Sequence, residues 1–100
     1  MDERKILKIA KALSDRTRLR ILREIGAAGE ISCGELARRF PISQPTVSHH
    51  LKVLEEAGLV STRHEGQFHY FQAVTGALPA FSQHLEASVA QPKRAGVFAR

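Results

Sequence analysis

Between positions 43 and 52 the chain sets out a run of short polar side chains: Ser43, Gln44, Thr46, Ser48, His49 and Lys52. They are interleaved with Val47, Leu51 and Leu54 at helical spacing, which makes one helix face apolar and the opposite face rich in hydrogen-bonding groups. No acid occurs from 44 to 54; Glu55 and Glu56 come only at the far end. Such a face offers amide, hydroxyl, imidazole and ammonium groups of the kind that read base edges and phosphates in a major groove. On this reading Gln44 pairs with adenine, and Thr46 and Ser48 take either a base or a phosphate. His49 donates to guanine N7 or O6 or to phosphate, and Lys52 contacts phosphate. Ser43 caps the helix at the edge of this set. His50 falls between the apolar stripe and the flank, where a packed structural histidine is expected.

The remaining chemistry-bearing residues exclude more than they offer. Cys33 is the one cysteine, so neither an intrachain disulfide nor a four-cysteine zinc site within one chain can form. It falls in the first turn of an expected helix, where the dipole lowers a thiol pKa. A redox role for Cys33 therefore stands beside the plainer reading of a small, partly buried filler. The run His64-Glu65-Gly66-Gln67-Phe68 lacks the second histidine of H-E-x-x-H and lies on a turn. His64 and His69 can face each other across a hairpin, but two imidazoles do not close a metal site. There is no triad, no paired carboxylate in a plausible cleft and no phosphate loop, so no enzyme, metal or cofactor is expected.

The elements that must position this set follow from periodicity and punctuation. Ile6, Leu7, Ala10 and Leu13 suggest a first helix over 3–13. Ser14-Asp15 offers a cap for a second helix to about Ala27, with Leu19, Leu22 and Ile25 as its stripe and Gly26 and Gly29 at its end. The Arg16, Arg18, Arg20 and Arg23 series reads as a solvated surface. After the extended stretch Glu30-Ile31-Ser32, the run Ser32-Cys33-Gly34-Glu35 fits a capping box opening a third helix over about 33–40, which Pro41 stops. The polar run then lies on a fourth helix, about 44–57, with Pro45 in its first turn and Gly58 beyond its end. Two short helices joined by a tight turn are the helix-turn-helix pattern. Leu59–His64 and Phe68–Val74 form a hairpin about Gly66, and Arg63 and Gln67 on that wing are placed to follow the adjacent minor groove or backbone. A last helix spans about 75–90. The expected architecture is mainly α with a β-hairpin wing, in the order α-α-(β)-α-α-β-β-α: a winged helix-turn-helix.

One hundred residues allow one domain, and 43% apolar with 25% charged residues is ordinary globular composition. We expect a DNA-binding and dimerisation domain over 1–90 and a flexible basic tail over 91–100. The net charge of +5 suits an anionic partner such as double-stranded DNA. No apolar run approaches the ~20 residues of a membrane span, and the N-terminus is not a signal peptide, so a cytoplasmic location is expected. Ile6, Leu7 and Ala10, with Leu78, Phe81, Leu85 and Val89, exceed what a small core can cover; a two-fold homodimer would hide them.

The runs Lys11 to Leu22, Ser43 to Val60 and Arg63 to Phe71 together resemble the ArsR/SmtB family of bacterial repressors over about residues 4–90. The resemblance implies a homodimer paired through its first and last helices, bound to an imperfect inverted repeat in an operator. It also implies that Gln44, Ser48 and His49 face the bases. The chain departs from the family's metal sites. Where a third-helix site resembling E-L-C-V-C-D-L would stand, Ser32 and Gly34 fall at the thiolate positions and Cys33 falls between them. Where a last-helix D-x-H site would stand, Ser82-Gln83-His84 has no acid, and no second histidine follows. The expected function is a sequence-specific dimeric repressor without those metal sites and with no effector assigned. The alternatives are a winged-helix protein-interaction module, or a redox-responsive repressor using Cys33.

Overall fold

The computed structural model describes residues 1–90; the expected basic tail over 91–100 lies outside the described residues. Five helices and three short strands follow in the order α1 (Glu3–Leu13), α2 (Arg16–Ala28), β1 (Ile31–Ser32), α3 (Cys33–Arg39), α4 (Gln44–Glu56), β2 (Val60–Glu65), β3 (Phe68–Ala73) and α5 (Ala77–Ala90). The first four helices each open on a side-chain cap that satisfies an otherwise orphaned amide. Asp2 accepts from the Lys5 amide and Asp15 from the Arg18 amide, each at 2.9 Å. Ser32 accepts from the Glu35 amide at 3.1 Å and Ser43 from the Thr46 amide at 3.3 Å. The capping box at Ser32 is only half realised. The Glu35 carboxylate does not return to the cap; it pairs with Arg38 and Arg39 on its own helix.

The core is continuous through all the layers. Ile9 and Ala12 of α1, Ile21, Leu22 and Ile25 of α2, Leu36 of α3, and Val47, Leu51 and Leu54 of α4 are buried together with Ile31, Leu59, Val60 and Phe71. Two details differ from the periodicity reading. On α1 the buried residues are Ile9 and Ala12, while Leu7 and Ala10 point outward, because this helix carries two apolar faces. Gly26 lies inside α2, and Gly29, with φ of 81°, ends it.

The strands form one antiparallel sheet in the order β1-β3-β2. Ile31 is paired with Phe71, so the segment that starts α3 is tied to the wing. In the hairpin Thr62 faces Phe71 and His64 faces His69. Directly opposed residues share a sheet face. Thr62, His64, His69 and Phe71 therefore lie on the face toward α4, and Arg63, Glu65, Phe68, Tyr70 and Gln72 on the outer face. Gly66 supplies the left-handed turn at the tip with φ of 62°. Among the described residues no helix is long and apolar enough to cross a membrane.

Candidate nucleic-acid interface

The candidate site is the solvent side of α4. Ser43 fixes its start twice: its hydroxyl takes the Thr46 amide, and it exchanges a 2.9 Å hydrogen bond with the Thr46 hydroxyl. Thr46 is thereby tied to the cap. Val47, Leu51 and Leu54 are almost wholly buried, which anchors the back of the helix along its length. With 3.6 residues per turn, burying that stripe turns His49 outward and puts Gln44, Ser48 and Lys52 on the flank toward the wing. All four are exposed, and among the described residues their side chains hold no protein hydrogen bond or ion pair. Glu55, at the C-terminal end, accepts from the Thr62 hydroxyl at 2.6 Å and so ties α4 to the base of the wing.

The other flank of α4 is bolted to the body of the domain. Arg18 donates through Nε to the Ala12 carbonyl at 2.7 Å and lies 3.2 Å through Nη1 from Nδ1 of His50. A guanidinium has no acceptor, so His50 Nδ1 receives this hydrogen bond and its proton sits on Nε2. Burial first, and then the Arg18 and His49 charges, hold the His50 pKa below its ordinary 6.5, against the opposing pull of Asp15. His50 is thus the packed structural histidine expected from its position. Arg18 was not separable in sequence from its neighbours in the arginine series; only the fold brings it beside the last carbonyls of α1. The same guanidinium favours the charged form of Asp15, whose pKa is lowered first by the hydrogen bond from the Arg18 amide.

The wing sorts its polar residues by face. On the outer face Arg63 forms a two-pronged pair with Glu30, at 3.0 and 2.9 Å. It also stands 4.7 Å from the Tyr70 ring centroid and 3.6 Å from Glu65. Gln72 donates to the same Glu30 carboxylate at 3.0 Å. The pair raises the Arg63 pKa, and hydrogen bonding from Arg63 lowers that of Glu30. Arg63, read from sequence as a wing contact, therefore already has partners in the free chain. On the inner face the His64 and His69 rings lie 4.2 Å apart, as the hairpin register expects. Gln67 is exposed at the tip. Cys33 is half-buried and packs against the core, lining a cleft shared with Gln44, Ser48 and His69. Among the described residues no group of three His, Cys, Asp or Glu side chains is arranged to hold a metal.

Comparison with known proteins agrees with this geometry. A family model described as a helix-turn-helix domain matches residues 13–63, which include α2, α3 and α4. The arsenical resistance operon repressor of Staphylococcus aureus is 39% identical over 85 residues, covering 85% of this chain and 81% of that one. This chain belongs to the ArsR family of winged helix-turn-helix transcriptional regulators. The transcriptional repressor SdpR of Bacillus subtilis is 40% identical over 70 residues, covering 70% of this chain and 77% of that one. Among solved structures, an ArsR-like transcriptional regulator from Rhodococcus superposes with a TM-score of 0.78 at 32% identity, covering 87% of this chain and 81% of that one. The homodimeric winged helix-turn-helix DNA-binding domain of Mb0332 from Mycobacterium bovis superposes at 0.70 with 26% identity, covering 89% of this chain and 82% of that one. In this ArsR-family chain α3 and α4 are the helix-turn-helix, α4 is the recognition helix, and the β2–β3 hairpin is the wing.

The outward apolar residues gather on two neighbouring helices. Leu7 on α1 is 58% exposed, and Leu78, Leu85 and Val89 on α5 are 44%, 39% and 78% exposed. No residue of α5 is buried in the single chain. Phe81 is half-buried against the core, and Ile6 is half-buried on α1.

Proposed function

We propose that the protein is a cytoplasmic homodimeric repressor that lays its two α4 helices in successive major grooves of an inverted-repeat operator. The observation that carries this reading is the front of α4, where Gln44, Ser48, His49 and Lys52 are exposed, free of internal partners and free of acids. Those groups can meet bases and phosphates without giving up a contact inside the protein. Gln44, Ser48 and His49 are assigned to base edges, Lys52 to phosphate, and Ser43 and Thr46 to the positioning of the helix start. Gln67 at the tip would follow the neighbouring backbone. Arg63 reaches DNA only by leaving Glu30, which makes it the weakest member of the set.

The dimer reading rests on the apolar face of α1 and α5. Four exposed large aliphatic side chains on adjacent helices form a patch that association would cover. Pairing through Ile6, Leu7, Ala10, Leu78, Phe81, Leu85 and Val89 about a two-fold axis sets two recognition helices roughly 34 Å apart, one turn of DNA. The acid-free front of α4 favours DNA over an acidic or apolar protein partner, so the interaction-module reading is not pursued. No catalytic role, metal or cofactor is assigned.

The test is binding of the full chain to duplexes selected from a random pool, with mass measured in solution. A dimer that enriches a two-fold symmetric sequence is expected, and replacement of Leu85 and Val89 by glutamate should yield monomers that no longer enrich it. A monomeric wild-type chain, or enrichment of no sequence, contradicts the proposal.

A further inference from the structure

Between α4 and the inner face of the wing runs a cleft lined by Ser48, Lys52, Glu55, Thr62, His64 and His69 over a floor of Leu51 and Phe71. Its polar contents are ordered along the helix. Glu55 and Thr62, bonded to each other, close the end at the base of the wing. Toward the tip stand the Lys52 ammonium, the Ser48 hydroxyl and the paired imidazoles, and His64 and His69 are both exposed. Every group at this end can donate a hydrogen bond, and Lys52 carries a fixed positive charge. We propose that this end of the cleft is a DNA phosphodiester site whose affinity is linked to protonation of the His64–His69 pair.

The argument is one of linkage. Two imidazolium rings 4.2 Å apart repel each other, and Lys52 adds to that repulsion. A phosphate seated against both rings replaces that repulsion with attraction, so phosphate binding and proton binding reinforce one another. The other charged or titratable groups around the pair are few. Glu55 lies at the opposite end of the cleft and is occupied by Thr62; Cys33 and Arg38 of α3 line the adjoining cleft beside His69. The remaining wing charges, Arg63 and Glu65, alternate onto the other sheet face and are engaged there. The site rests on the DNA-binding reading above, and it adds a specific phosphate position and a proton count to it.

The experiment is duplex binding by fluorescence anisotropy at constant salt, between about pH 8 and pH 6, with the wild type and the His64→Gln/His69→Gln double variant. Both positions are exposed, and thermal melting checks that the variant is folded. Wild-type affinity should rise about tenfold as pH falls across this range, the change expected for about one proton taken up on binding. The double variant should bind like wild type within about threefold at the upper pH and lose most of the rise. A flat wild-type profile, or a double variant that keeps the wild-type slope through His49 or His50, overturns the site while leaving the DNA-binding reading intact. A wild-type chain that binds no duplex at either pH overturns that underlying reading instead.

Discussion

The front of α4 and the outer face of the wing draw on similar residue types and end in opposite states. Gln44, Ser48, His49 and Lys52 project from a helix whose back is fully buried, and they have no partners among the described residues. Arg63, Tyr70 and Gln72 stand on a sheet face where Glu30 engages two of them directly and Arg63 lies over the ring of the third. A bare group contributes its whole interaction with DNA, less the cost of shedding water. A group already paired contributes only the difference between two partners. Residue type alone thus does not mark a contact; what matters is whether the free protein has already used the side chain.

The comparison is broken most severely by loosening what holds α4 in place. Arg18→Ala leaves the Ala12 carbonyl and His50 without their shared donor, and we expect a loss of about 2 kcal/mol, seen as a fall in Tm of roughly 10 °C. Affinity for selected duplexes should fall with it even though Arg18 touches no DNA. An unchanged Tm would mean that the guanidinium is not a bolt.

Smaller effects separate the two faces directly. Lys52→Ala should weaken binding to selected and random duplexes alike, by about 1 kcal/mol, and reduce the slope of log affinity against log salt by about 1. Arg63→Ala should change duplex affinity less than Lys52→Ala does, and should cost under about 1 kcal/mol in stability, since the Glu30 pair is largely solvent-exposed. A larger loss of DNA affinity for Arg63→Ala would show that the guanidinium exchanges Glu30 for phosphate at a net gain.

The smallest expected effect is on the pH dependence of stability. Because the folded His50 pKa lies below the unfolded value of 6.5, the unfolded chain takes up this proton first. The contribution is therefore at its full value above about pH 6.5 and is lost as pH falls from there toward the folded-state pKa. His50→Asn keeps an acceptor for Arg18 but removes the titration, so denaturant midpoints at about pH 7.5 and pH 5.5 should lie closer together in this variant than in wild type. An equal gap in the two proteins would remove His50 from the account.

Much of this organisation is legible in the sequence because it is local. Asp15, Ser32 and Ser43 announce their helices by capping, and Val47, Leu51 and Leu54 mark the back of α4 by their spacing. The hairpin register that opposes His64 to His69 follows from a turn at Gly66. What is not legible depends on contacts distant in the chain. Glu30 and Arg63 are 33 positions apart, and Arg18 and His50 are 32 apart, so nothing in either neighbourhood distinguishes Arg18 from Arg16 or Arg20. On α1 the pattern is compatible with two apolar faces, and only packing against α2 and α4 selects Ile9 and Ala12 for the core.

The most direct test concerns the ratio of affinities for a selected duplex and a scrambled one at fixed salt, in wild type and Gln44→Ala. If the exposed amide of Gln44 reads a base, the substitution should lower the ratio about five- to hundredfold, corresponding to a loss of about 1–3 kcal/mol, while leaving binding to the scrambled duplex nearly unchanged. An equal loss on both duplexes would contradict base reading by the front of α4.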